Sequence, residues 1–193
     1  VLQGAFEVAN KLFDITFTER NDLPKYRDNI RSFVVEDTNK KVIGIFYTDY
    51  TLRPNKSGGA WMNTFRDQSK FSGEIIPIVV NVCNFPPENA DGVSLLSFEQ
   101  VETLFHEFGH ALHGLLSDAQ YPSLSGTSVT RDYVEFPSQM MENWAREPEV
   151  MKTFAKHYET GETIPDDLLK KISAAGTFNL SLIHISEPTR PLI

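Results

Sequence analysis

The chain has 193 residues, 40% of them hydrophobic and 23% charged, a composition that excludes disorder and collagen-like structure. Its 26 acidic against 18 basic side chains give a net charge of −8 at pH 7, which leaves no basic face for nucleic acid. The single cysteine, Cys83, excludes an internal disulfide and any multi-cysteine metal site.

Gln3 to Leu12 reads as a short helix with Ala5, Phe6, Val8, Ala9 and Leu12 on its apolar face. Residues 31–50 predict a β-hairpin, two β-branched and aromatic runs flanking the turn formers Glu36 to Lys40. Asp49 to Ala60, with Pro54, Asn55 and Ser57-Gly58-Gly59, predicts a loop. Asp49, Arg53 and Lys56 there read as solvated, with a substrate clamp as the alternative. Ile75 to Phe85 predicts a third strand, and Pro77, lacking an amide donor, points to a sheet edge or a bulge. The longest apolar run, Ile75 to Cys83, is interrupted by Pro77 and Asn81. It falls far short of the ~20 residues of a membrane helix. Glu7 and Lys11 near the start break any signal-peptide pattern. That favours the cytoplasm, with the periplasm as the alternative because the chain opens on Val1 rather than Met.

The second part is helical. Ser97 and Gln100 form a capping-box pair for a helix from Phe98 to about Leu116, with Leu96 and Val101 as its hydrophobic staple. A loop with Pro122 and Gly126 follows, then a helical region from about Asp132 that carries Pro137 in its first turn or at a kink. Two more helices are expected, Glu149 to Tyr158 and one capped by Thr163 with Pro165 in its first turn. The fold class is α+β and mainly α: a small sheet over about 31–85, then helices over about 97–146 and 149–178.

Within the best-defined helix lies His106-Glu107-Phe108-Gly109-His110, an H-E-x-x-H. Histidines four apart sit one turn above the other on one face, so both imidazoles can reach one metal ion. Glu107 is rotated about 100° from them, where a base would take a proton from water at the metal. A catalytic zinc needs a third protein ligand and an open fourth position. The metzincin continuation is absent, because His113 and Leu116 occupy the positions where it has Gly and His. A carboxylate from the following segment is the other solution, with Asp118, Asp132, Glu135 and Glu142 as candidates. Asp118 falls in the turn after the helix and Asp132 reads as a helix cap. Glu135, between Val134 and Phe136, is the first choice and Glu142 the second. Gln139 and Glu142 share the face of Glu135 and could accept the far ring N–H of a ligating histidine. His113 leans to the same side as packing or support. His157 and His184 read as surface residues.

The run Phe105-His106-Glu107-Phe108-Gly109-His110-Ala111-Leu112-His113, then Ser125-Gly126-Thr127 and Asp132-Tyr133-Val134-Glu135-Phe136-Pro137-Ser138-Gln139, resembles the thimet oligopeptidase and peptidyl-dipeptidase family of zinc metallopeptidases. Lys56-Ser57-Gly58-Gly59-Ala60-Trp61 and Asn81-Val82-Cys83-Asn84-Phe85 lean towards its bacterial peptidyl-dipeptidase branch. The resemblance spans residues 1 to about 179. It implies one zinc ion held by His106, His110 and Glu135, with Glu107 as general base. It also implies a zincin-like (gluzincin) catalytic core within a larger, two-lobed helical enzyme, monomeric in full and acting on short peptides. The strand matching 75–85 would be a sheet edge whose Asn81, Val82, Cys83 and Asn84, together with Gly126, meet the substrate. The implied reaction is release of C-terminal dipeptides, with a thimet-type oligoendopeptidase as the alternative. The family's tyrosine and histidine donors to the tetrahedral intermediate lie in a later part with no match here. On that ground the chain as given reads as a partial catalytic domain over 1–179, able to bind zinc but catalytically incomplete. Leu180 to Ile193 reads as a foreign tail.

Overall fold

A computed structural model of the chain describes residues 1–90 and 92–177; the expected foreign tail, with His184, lies outside the described residues. Helix α1, Leu2–Phe13, buries Ala5, Phe6, Val8 and Ala9 along one face and ends at Asp14, whose φ of 55° turns the chain into the sheet. Strands β1 (Thr16–Glu19), β2 (Arg31–Glu36), β3 (Val42–Thr51), β4 (Trp61–Arg66) and β5 (Ile78–Phe85) form one mixed sheet in the order β1-β2-β3-β5-β4. Only the β3–β5 pair is parallel.

The hairpin expected over 31–50 is present as β2 and β3. Its turn is held by Asp37, whose Oδ1 accepts the amides of Asn39 (2.8 Å) and Lys41 (2.9 Å), while Lys40 takes φ 63°. β3 continues to Thr51, so Asp49 and Tyr50 belong to a strand and the loop starts later than expected. The strand over 75–85 exists, but its position corrects the edge expectation. β5 is interior, paired with β3 on one side and β4 on the other. Pro77 sits just before the strand, where no amide is required, and its carbonyl still accepts from Ile45 (3.0 Å). The free edge on that side is β4, a strand the sequence reading did not contain.

α1 and the helix that follows the sheet pack together on one of its faces. Helix α2, Phe98–Leu115, begins with the expected box: the Gln100 amide donates to Ser97 Oγ (3.3 Å) and the Ser97 amide to Gln100 Oε1 (2.9 Å). It buries Leu104, Phe105, Phe108, Ala111, Leu112 and Leu115 against a ring cluster of Phe6, Phe17, Phe33 and Phe46. The Phe108 ring lies 5.7 Å from Phe6 and 5.8 Å from Phe46, centroid to centroid. Truncating such a side chain typically costs about 3–5 kcal/mol, so the helix carrying the two histidines is anchored by its own core face. The opposite face of the sheet carries a smaller cluster of Ile30, Tyr47, Val80 and Val82.

Helix α3 is Phe136–Arg146, α4 is Pro148–Phe154 and α5 is Asp166–Thr177. α3 starts four residues later than expected. Pro137 stands in its first turn, so 131–135 form turns and Asp132 caps nothing. α4 stops short of Tyr158, and Thr163 pairs with Lys156 in an isolated antiparallel bridge rather than capping α5. Among the described residues no helix is long and apolar enough to cross a membrane.

Candidate metal centre

His106 and His110 project from one face of α2, their rings 4.9 Å apart and nearly perpendicular. The chain then leaves α2 through a loop pinned by Ser117, whose Oγ accepts from the Gly126 amide (2.9 Å) and the Ser125 hydroxyl (3.1 Å). Gly126 has φ 56°, and a Cβ there would stand 3.2 Å from the Cα of Gly114, so this crossing of loop over helix requires glycine. The loop returns the chain to α2 at Glu135, the N-cap residue of α3.

There the two elements converge. Glu135 Oε2 lies 3.2 Å from His106 Nε2 and 3.1 Å from His110 Nε2. The three residues form a group whose ligand atoms all lie within 4.8 Å of one another. Zinc bonds to nitrogen and oxygen of ~2.1 Å, arranged tetrahedrally, put neighbouring donors ~3.4 Å apart. The His106–Glu135 and His110–Glu135 separations fall just inside that spacing, and a His₂Glu donor set suits zinc. The residues present fit the ion.

The remaining polar atoms are arranged around this group. His106 Nδ1 lies 2.5 Å from Glu142 Oε1, which fixes the ring and turns Nε2 towards Glu135. Ser138, fully buried, places its Oγ 2.9 Å from Glu135 Oε2. That hydroxyl holds the Glu135 carboxyl below the usual carboxylate range; partial burial opposes it, and His110 and His106 add to the lowering. Burial pushes His110 down, against the raising effect of Glu135. Glu107 is 6% exposed, and among the described residues its Oε2 has no hydrogen-bond partner. Burial raises its carboxyl to about 7; His106 counters this and Glu135 adds to it.

Glu135 differs from its sequence expectation in one respect. The expected helix from about Asp132 would enclose it; instead it stands at the helix start with its side chain half exposed. Gln139 is exposed on α3. His113 is half-buried, its ring 6.3 Å from Tyr133, and it lies outside the ligand group. Asp118 is exposed and pairs with Lys70. The Ser138 contact was missed, although its position three residues after the chosen carboxylate is the spacing of a first-turn side-chain bond.

Three of the four strand residues expected to meet substrate are enclosed, and Asn84 is half-buried. Asn81 and Cys83 are fully buried, Val82 nearly so, and burial pushes the Cys83 thiol up. Asn84 Nδ2 donates to the carbonyls of Ser57 (2.7 Å) and Gly59 (2.8 Å), tying down the loop before β4. Asp49, Arg53 and Lys56 form neither a solvated loop nor an open clamp. The Asp49 carboxylate, 2% exposed, receives Arg53 Nη1 (2.5 Å) and Nη2 (2.8 Å), Lys56 Nζ (3.1 Å) and the Tyr26 hydroxyl (2.8 Å). Lys56 Nζ also reaches the carbonyls of Asp49, Thr51 and Cys83. This is an ion cluster that locks the loop to β3 and β5.

The family model described as Peptidase family M3 matches residues 1–187, past the boundary near 179 expected for the resemblance. The chain belongs to peptidase family M3. Dipeptidyl carboxypeptidase of Escherichia coli (strain K12) is 45% identical over 177 residues, covering 92% of this chain and 26% of that protein. Oligopeptidase A of the same strain is 41% identical over 189 residues, covering 96% of this chain and 28% of its own length. The organellar oligopeptidase A of Arabidopsis thaliana is 40% identical over 186 residues. The chain thus spans about a quarter of the length of these M3 relatives. The five-stranded mixed sheet and five helices of the described residues are an α+β segment compatible with the family.

Proposed function

We propose that this segment carries the zinc site and general base of a metallopeptidase that hydrolyses short peptides, releasing C-terminal dipeptides in its longer protein. The observation that carries the reading is the meeting of His106 Nε2 and His110 Nε2 at one oxygen of Glu135, with Glu107 buried beside them. The dipeptide specificity is supported by the 45% identity to a protein named dipeptidyl carboxypeptidase. The 41% identity to an oligopeptidase supports the oligoendopeptidase alternative.

His106, His110 and Glu135 would hold zinc, which supplies Lewis acidity that polarises a scissile carbonyl and lowers the pKa of an attacking water towards ~7. Glu107, whose Oε2 has no partner among the described residues, would take a proton from the attacking water and return it to the departing amine. Without the ion, burial raises this carboxyl to about 7; a bound cation would favour its carboxylate form, the form that accepts a proton. Glu142 keeps the His106 ring in the orientation that presents Nε2. In this reading α2 and the start of α3 are the core of a gluzincin-type site, and the free edge β4 stands on the same sheet.

Zinc titration of the chain tests the ligand set, and hydrolysis by the longer protein tests the base. Glu107→Gln should retain zinc and lose activity by about 10²–10⁴-fold. Full activity with zinc retained would overturn the assignment. Comparing a free-carboxylate peptide with its amidated form separates the two specificities: a dipeptidyl carboxypeptidase prefers the former and an endopeptidase accepts both. The quarter-length coverage favours a further reading for the chain alone, zinc binding without turnover, which the same assay on the 193-residue chain decides.

A further inference from the structure

We propose that Gly109 and Ser138 are paired positioning residues that fix Glu135 against the two histidines. The inference rests on the zinc-site reading and deepens it. Glu135 stands at the N-terminus of α3 with its side chain half exposed, so little surrounding packing restrains its carboxylate. Ser138 supplies the restraint. Its hydroxyl, fully buried, lies 2.9 Å from Glu135 Oε2 and 2.8 Å from the Glu135 carbonyl. The same Oε2 faces both histidine Nε2 atoms, so the hydroxyl grips the oxygen that would ligate.

Gly109 sets the distance between the two elements. It lies between His106 and His110 on α2, in mid-helix, where glycine is a poor choice on propensity alone. A Cβ there would stand 2.6 Å from Ser138 Cα, 2.7 Å from the Pro137 carbonyl oxygen and 3.0 Å from its carbon. All three are backbone atoms and cannot rotate aside. The first turn of α3 therefore docks directly on the bare backbone of α2, and Ser138 sits at that contact. A side chain at 109 would push α3 outward and carry Glu135 from the histidines, because the contact at Pro137 and Ser138 begins only two positions after Glu135.

Zinc affinity, measured by competition with a chromogenic chelator, tests the pair, with thermal unfolding of the metal-free chain alongside. Ser138→Ala should bind zinc about 10–100-fold more weakly than the parent. Gly109→Ala should lose at least as much. The decisive comparison is made in a Glu135→Ala background. A residue acting through Glu135 has no further effect there, whereas a merely structural role weakens binding equally in both backgrounds. Ser138→Ala binding within about threefold of the parent, or an equal loss in both backgrounds, would overturn the inference while leaving the zinc site standing. If Gly109→Ala does not fold, the Ser138 cycle decides alone. A parent chain that binds no zinc sinks the metal reading, and this inference with it.

Discussion

His106 Nδ1 lies 2.5 Å from Oε1 of Glu142, a carboxylate–histidine contact that joins α2 to the middle of α3. Such a partner selects the tautomer that leaves Nε2 free to ligate, and it makes the ring a better donor. Glu142→Ala should therefore weaken zinc binding about 10–100-fold. Glu142→Gln should lose less, because its amide oxygen still accepts the ring N–H. Competition titrations of the two variants check the order; equal affinity in parent and Ala variant would remove Glu142 from the site.

A second prediction concerns pH and the metal-free chain. The Glu107 carboxyl is raised by burial from 4.5 to about 7, so the folded state binds more protons than the unfolded state between those values. Glu107's own contribution to stability then falls as pH rises through about 4.5 to 7, by on the order of 2–3 kcal/mol at most. Glu107→Gln removes this contribution, so the parent's stability relative to the variant's should fall across that window. Urea unfolding at several pH values with chelator present measures the difference. Parallel profiles for the two proteins would contradict it.

The Asp49 cluster behaves in the opposite sense. Burial alone would raise this carboxyl, but hydrogen bonds from Arg53, Tyr26 and Lys56 outweigh it and bring it from 3.8 to about 2. Its folded value lies below the unfolded one, so it adds stability above about pH 4 that disappears as the pH falls towards 2. Burial pulls the Lys56 ammonium down, and only Asp49 and three carbonyls keep it satisfied. Asp49→Asn leaves that cation buried without its counter-charge and should cost about 3–5 kcal/mol at pH 7. The cost should shrink in acid, which chemical denaturation at pH 7 and pH 3 will reveal.

These two regions mark how far the sequence could be read. The histidine pair was legible because helical periodicity converts a spacing of four into a shared face, and Ser97 and Gln100 announce where that helix starts. The choice of Glu135 needed the following segment to fold back, which no local spacing encodes. Its N-cap position followed from Pro137, which moved the helix start from about 132 to 136. The order of the sheet was hidden for a related reason. Pro77 points by its missing amide to an edge, yet it lies just before β5, where the ladder asks only for its carbonyl. β4 was missed because Trp61–Arg66 lacks a clean alternation of buried and exposed positions. Residues of the Asp49 cluster look like a polar loop in sequence; only the fold supplies Tyr26, 23 positions away, and the enclosing strands.

The capping box offers a test that separates helix stability from metal geometry. Ser97 Oγ accepts the Gln100 amide at the first turn of α2, and the Gln100 side chain returns the bond to the Ser97 amide. Ser97→Ala removes one bond of this reciprocal pair and should lower the chain's stability by about 1 kcal/mol. His106 lies more than two turns further along, on a stretch already anchored by Leu104, Phe105 and Phe108. Fraying of the first turn should not reach it, so zinc affinity should match the parent's at temperatures well below unfolding. Thermal melting and zinc competition on the same preparation read the two effects separately. A loss of affinity in proportion to the loss of stability would mean that α2 moves as one rigid unit, and that the histidine pair depends on the whole helix rather than on its central core contacts.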